Sequence, residues 1–375
     1  MRGRILIPSL IALIGIVFIF GLSVGAYKIF PYDALNSSLD VIKEETPSAD
    51  VQVIMQADLE QLVKINDEFD IEQKRIELVE FFWDVKSLHR VQYSGELPEI
   101  ESDISDSRYN DFQNLKRIDR LTVKMDYDVN SISYIFIPKE SNQKLIFYHH
   151  GHDGDFILGK NTIQFFLDRN FTVVAMTMPL VGMNSQPIIE IDGLGPTKLI
   201  SHNQFSLLKS DIFNPMKFFI HPIQVNMNFL EKEYEFERYS IVGLSGGGWT
   251  AVVYSAIDDR IADSFSVAGS IPFYLRVNER DIGDYEQTNI DLYKIANYLE
   301  LYVLSGYGND RKHIQFFNKN DPCCFSGYGY ESYEFFIDNK LEELGKGSFQ
   351  IFIDDTHNQH KISNITLEYI LKNIG

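Results

Sequence analysis

Cysteine is nearly absent from this chain, with two residues in 375, and the two are neighbours, Cys323 and Cys324. That excludes a disulfide-built scaffold and any zinc site made from spaced Cys and His pairs. Adjacent cysteines hold their Cα atoms closer than a relaxed disulfide prefers, so the pair is expected as two small buried side chains. Positive charge is also scarce. Against 53 Asp and Glu stand 34 Lys and Arg, a net charge of -19, and a phosphate backbone would repel such a surface. No nucleic-acid partner is expected. Internal repeats and low-complexity tracts are missing too. Yet 45% of the residues are hydrophobic and 13% aromatic, which is ample for a packed core and excludes disorder through the body.

Long apolar runs are missing except at the start. Met1-Arg2-Gly3-Arg4 is short and basic, and Ile5 to Ala26 then carries no charge before Lys28. About 20 such residues suffice to cross a bilayer as a helix. The run exceeds a usual signal-peptide core, which favours an uncleaved signal-anchor over residues 1–28 with the lipid bilayer as its partner. The small residues Val24-Gly25-Ala26 keep open a cleaved signal peptide and a secreted product. Arg2 and Arg4 would stay in the cytoplasm in either case, placing the remainder of the chain outside.

Residues 29–119 read as a stalk followed by a helical extension. Leu59, Leu62, Val63, Ile76, Val79, Phe82 and Trp83 recur at helical spacing between Asp58 and Val91. Gly95 to Asp119 is acidic, contains Pro98 and reads as a linker or surface loop.

From residue 120 to 375 the texture changes. Strand-like runs at Leu121–Tyr127, Ile132–Ile137, Leu145–Tyr148, Thr172–Met176, Tyr239–Val242, Phe265–Ala268, Ile314–Phe317 and Phe349–Ile353 alternate with helical patterns. These helices are expected at Asp155–Arg169, Pro215–Tyr234, Gly247–Ile257, Glu331–Leu344 and Ser363–Asn373. Such alternation implies an α/β fold, a mostly parallel twisted sheet with helices on both faces, opening with an antiparallel pair. Pro179–Asn214 and Ser270–Glu300 interrupt the alternation and are expected to shape a pocket.

One stretch carries the chemistry. Strand-like Tyr239–Val242 runs into Gly243-Leu244-Ser245-Gly246-Gly247, and a helix follows at once. A serine on so sharp a strand-to-helix turn needs neighbours without side chains two positions either side, which Gly243 and Gly247 supply. The turn would raise the hydroxyl above the sheet beside a helix N-terminus, where backbone N–H groups can meet an oxyanion.

On this glycine-flanked serine and its position, residues 120–375 resemble the α/β-hydrolase superfamily. The resemblance implies a Ser-acid-His order and an acyl-enzyme mechanism without a cofactor. Ser245 is the implied nucleophile. The implied oxyanion donors are the N–H of Gly246 and one from the loop Gly151-His152 that ends Leu145–His150. Asp321, after Ile314–Phe317, is the implied acid. The implied base is His360, directly before the closing helix, with His357 as the alternative. A metal reading of His149, His150, His152, Asp153 and Asp155 fails on spacing, because the metallo-β-lactamase pattern needs an aspartate at 154 and a histidine at 155. No metal is expected. His202 and His221 have no visible partner and are taken as structural. The expected activity is hydrolysis of a carboxylic ester on a small or medium acyl substrate at the outer face of a membrane. A serine peptidase of the same fold and a non-catalytic binding protein are the competing readings.

Overall fold

The computed structural model describes residues 57–92, 94–278 and 281–375, so the expected anchor over residues 1–28 lies outside the described residues. None of the described helices is long and apolar enough to cross a membrane.

Among the described residues, nine strands form one sheet in the order β1-β2-β3-β5-β4-β8-β9-β10-β11. They are β1 (Glu99–Glu101), β2 (Leu115–Val123), β3 (Ser131–Pro138), β4 (Lys144–His149), β5 (Thr172–Met176), β8 (Arg238–Leu244), β9 (Ile261–Val267), β10 (Lys312–Asn318) and β11 (Ser348–Asp354). A separate hairpin holds β6 (Ile188–Ile191) and β7 (Gly195–Lys198). The first three strands are antiparallel, β3 meets β5 antiparallel, and everything from β5 to β11 is parallel. Every residue of β5 is buried, which is why its sequence Thr-Val-Val-Ala-Met shows no polar alternation.

Seven main helices flank the sheet: α1 (Glu68–Trp83), α2 (Lys160–Leu167), α3 (Lys217–Glu233), α4 (Gly246–Ile257), α5 (Tyr298–Gly306), α6 (Glu334–Leu344) and α7 (Asn364–Asn373). The two-residue period of the central strands divides the core. Leu145, Phe147, Val174 and Ile241 face a layer containing α1, α3, α4, α5 and α6. Ile146, Tyr148, Val173 and Val242 face the layer of α2 and α7. Helix α4 is buried along its whole length, so its sequence is apolar all round rather than amphipathic.

The described residues before the expected boundary at residue 120 are not separate from this body; the described residues form one compact unit. Gly95–Asp119 is corrected from linker to structure, since it supplies β1 and the start of β2. Tyr109 is buried against Phe136. Asp119 is buried as well, accepting from the N–H of Asp103 at 2.8 Å and pairing with Arg117 at 3.0 Å. Helix α1 buries Ile71, Leu78, Val79 and Phe82, while Ile76, expected on that face, is more than one-third exposed. Arg75 on α1 donates to the carbonyls of Ala256, Leu304 and Tyr307 at 3.1, 3.1 and 3.3 Å, closing the C-terminal ends of α4 and α5.

His313 on β10 lies fully buried beside the rings of Tyr302 and Phe349, with Nδ1 3.0 Å from the Ser264 hydroxyl. Burial lowers its pKa to about 3. Below the unfolded value near 6.5, the unfolded chain takes up a proton that the folded chain refuses. Stability therefore falls with pH from about 6.5 towards 3, by about 1.4 kcal/mol per pH unit for this one group. Urea denaturation of His313→Leu between pH 4 and 7 should give a profile shallower by about that slope; parallel profiles for the two proteins would refute it.

Candidate active site

The site lies at the carboxyl ends of the parallel strands, where β4 and β8 run side by side and the order of connection reverses. Open α/β sheets place ligands at such a point. Strand β8 ends at Leu244, and Ser245 follows with φ 56° and ψ −126°, a backbone conformation costly for a residue with a Cβ. Its surroundings hold it there. A Cβ on Gly243 would lie 2.0 Å from the Gly247 carbonyl oxygen, and one on Gly247 would lie 2.0 Å from the His149 carbonyl oxygen. The glycine requirement read from the sequence is thus a clearance between strand, helix and the neighbouring β4. The Ser245 N–H donates to Val267 O at 2.9 Å, fixing the turn to β9.

The loop after β4 passes over the serine. A Cβ on Gly151 would stand 2.6 Å from Ser245 Cβ and 3.2 Å from its Oγ. The next residue, His152, lays its ring over Gly246, whose added Cβ would meet His152 Cε1 at 2.4 Å. Thr177 Oγ1 donates to the carbonyls of Gly151 and Gly154 at 3.1 and 2.9 Å, tying the loop to the end of β5. Among the described residues, no backbone carbonyl accepts from the N–H of Gly246 or of His152.

Asp321 follows β10 and is buried. Its Oδ2 lies 2.8 Å from His360 Nδ1 and accepts from Asn318 Nδ2 at 3.0 Å. Its Oδ1 accepts from the N–H groups of Cys323 and Cys324 at 2.8 and 3.3 Å. Burial alone would raise the carboxyl pKa, but the bond to His360, its charge and these donors outweigh burial and hold it low. Among the described residues His360 Nε2 meets no hydrogen-bond partner, and the ring borders the same cavity as Ser245. His357 stands elsewhere. Its Nε2 lies 3.4 Å from Asp354 and its Nδ1 accepts from the Gln359 N–H at 3.1 Å.

The loop carrying His360 is held at both ends by Asp354, the last residue of β11. One oxygen accepts from the Thr356 N–H and hydroxyl at 3.0 and 2.6 Å. The other accepts from Thr366, at 3.0 Å, and from Ser363, the N-cap of α7. These donors pull the Asp354 pKa down to about 2 against the opposing effect of burial. Asn318 Nδ2 also reaches the carbonyls of Gln359 and Lys361 at 3.3 and 3.1 Å, so one amide braces both carboxylate and imidazole.

Several residues differ from expectation. Cys323 and Cys324 are not a buried pair; they are bonded to each other and border the cavity. The turn after Asp321 directs their N–H groups to its carboxylate, which keeps their side chains out of the core. His221 sits between Trp83 Nε1 and Glu96, each at 3.0 Å. His202 has partners after all. Its Nδ1 lies 3.1 Å from His152 Nε2 and 3.2 Å from Glu286, while its Nε2 donates to Pro179 O at 2.8 Å. The first interruption delivers His202 and the second delivers Asp284 and Glu286; no spacing in the sequence signals that they meet. The cavity measures about 440 Å³ and is bordered by Ser245, Gly246, His152, Asp284, Phe325 and His360, within the range of small-molecule sites.

Among solved structures, an acetyl xylan esterase from a Thermoanaerobacterium species matches with a TM-score of 0.54 at 16% identity, covering 86% of this chain and all of that one. An acetyl xylan esterase from a Paenibacillus species matches at 0.52 and 12%, covering 87% and 98%. A methylesterase matches at 0.53 and 12%, covering 84% of this chain and 65% of its own. The chain has the α/β-hydrolase fold. No protein-family model and no curated protein sequence matches it. On this hydrolase fold the glycine-flanked serine stands on the strand-to-helix turn after β8, with the two tail histidines after β11.

Asn318→Ala removes the brace without touching the cavity wall. A net hydrogen bond is worth about 0.5–1.5 kcal/mol, so kcat on an activated ester should fall roughly threefold to tenfold with KM little changed. An unchanged kcat would show that the loop holds His360 without Asn318.

Proposed function

We propose that this protein is a serine hydrolase that cleaves a small carboxylic ester through an acyl-enzyme, with Ser245, His360 and Asp321 as its triad. The observation that carries this reading is the 2.8 Å contact of His360 Nδ1 with the buried Asp321 carboxylate, its other nitrogen unpartnered, beside the cavity that also holds the strained Ser245. Asp321 keeps the ring in the tautomer whose Nε2 can accept the serine proton and stabilises the imidazolium that forms. Ser245 Oγ attacks the ester carbonyl, and the N–H groups of Gly246 and His152, with Gly151 giving the loop its close approach, stabilise the oxyanion. The imidazolium then protonates the leaving alcohol. Water, activated by the same ring, attacks the acyl carbonyl and frees the acid.

The open cavity of about 440 Å³ beside Ser245 admits a small acyl group, and the two acetyl xylan esterases and the methylesterase among the fold neighbours bear names of small-ester chemistry. His360 is favoured over His357 because only it reaches Asp321 and borders the cavity. Residues 1–28 would hold the enzyme at the outer face of a membrane, on the strength of their uncharged run behind Arg2 and Arg4.

A fluorophosphonate probe should label the wild type and leave Ser245→Ala unlabelled; a folded wild type that takes no label would sink the proposal. On p-nitrophenyl esters of rising chain length, acetate should be hydrolysed faster than octanoate, and aminoacyl amides should be poor substrates. A preference for the amides would point to a peptidase.

His360→Ala should lose at least about 10³-fold in kcat, as expected when a triad member is removed. His357→Ala should retain activity within about threefold, because its ring contacts neither Asp321 nor the cavity. The reverse pattern would transfer the base to His357.

A further inference from the structure

Four side chains from three remote parts of the chain converge beside the loop that crosses Ser245. His152 Nε2 lies 3.1 Å from His202 Nδ1, 3.3 Å from Asp284 Oδ2 and 3.0 Å from Glu286 Oε1. Glu286 Oε2 lies 3.2 Å from His202 Nδ1, and one ligand atom from each of the four residues falls within 4.8 Å of the others. We infer that His152, His202, Asp284 and Glu286 form a binding site for a divalent transition metal, zinc by its donor set, which fixes the loop over Ser245.

Three observations carry this. The first is spacing. Ligands about 2.0–2.1 Å from a tetrahedral zinc stand about 3.3–3.4 Å apart along the edges of the tetrahedron; His152 Nε2 stands 3.0–3.3 Å from its three partners, and the remaining pairs lie within 4.8 Å, a spread that small side-chain shifts would close. The second is tautomer. His202 Nε2 must carry its proton to donate to Pro179 O, which leaves Nδ1 with a lone pair directed at the cluster. A second-shell carbonyl orients zinc-binding imidazoles in this way. The third is an unsatisfied group. Glu286 is fully buried, yet its Oε1 makes no hydrogen bond of acceptable geometry to any described residue. A buried carboxylate oxygen without a donor is costly, and a cation at the centre of the four groups would satisfy it.

Two imidazoles and two carboxylates suit zinc better than calcium or magnesium, which favour oxygen ligands. The ion would hold the His152 ring in place over Gly246 and so fix the backbone of the Gly151-His152 loop. Its role would be positional, because Asp284 is the one ligand half in solvent and the ion would be bound by four protein groups.

Zinc should be titrated into chelator-stripped, full-length protein without substrate, so that the outcome is independent of whether Ser245 is a nucleophile. The expected result is one saturable equivalent, with an X-ray absorption spectrum of two imidazole nitrogens and carboxylate oxygens near 2.0–2.1 Å. Glu286→Gln and Asp284→Asn should each weaken binding at least tenfold. His360→Ala, which alters the other side of the cavity and none of the four ligands, should leave zinc affinity unchanged. Asp284 is partly exposed, so its variant remains informative if Glu286→Gln fails to fold. Absence of saturable uptake, or unchanged affinity in either folded ligand variant, would reduce the cluster to an ion-paired network and overturn the inference.

Discussion

The turn at Ser245 rests on a clearance of backbone against backbone. Strand β8, helix α4 and the end of β4 approach so closely that Gly243 and Gly247 have no room for a Cβ, and Ser245 between them is forced to a positive φ. Everything chemical is arranged around that point. The buried α4 starts there, the Gly151 loop crosses there, and the ends of β10 and β11 bring their polar loops to the same side. A sheet of parallel strands aims all its carboxyl ends one way, so residues distant in sequence arrive together without further machinery.

The second layer of organisation is made of polar side chains that hold loops rather than react. Asp354 takes donors from both ends of the segment carrying His360, and Asn318 joins that segment to Asp321. Each is a buried polar group whose bonds are local and directional, so the position of the imidazole is set by geometry rather than by apolar contact alone. The cysteine pair contributes through its backbone, giving Asp321 two N–H donors.

Much of this was legible in the sequence. Thr172–Met176 is strand β5 residue for residue, and the expected helix at Gly247–Ile257 begins one residue late. Continuous apolar runs bounded by glycine, and a serine between glycines, are short-range patterns that a parallel sheet imprints on its chain. What escaped was set by contacts between distant residues. Gly95–Asp119 looked like a linker because three exposed residues of β1 and a β2 of mixed polarity lack any periodic run. Tyr109 and Asp119 are buried only through partners elsewhere in the fold. The meeting of His152 with His202 and Glu286 could not be read for the same reason, since each stands alone in its own stretch. The cysteine pair borders the cavity because of the turn after Asp321, which residue type alone does not signal.

Arg75 has a consequence for how much of the chain the fold needs. Its guanidinium serves the carbonyls of Ala256, Leu304 and Tyr307, groups that a helix end leaves without partners. Leu78, Val79 and Phe82 on the same helix fill the core beneath it. Evolutionary trimming to the first strands of the sheet would therefore bare oily surface and orphan those oxygens. A self-sufficient piece must include helix α1, and the buried Val63 and Ile65 just before it.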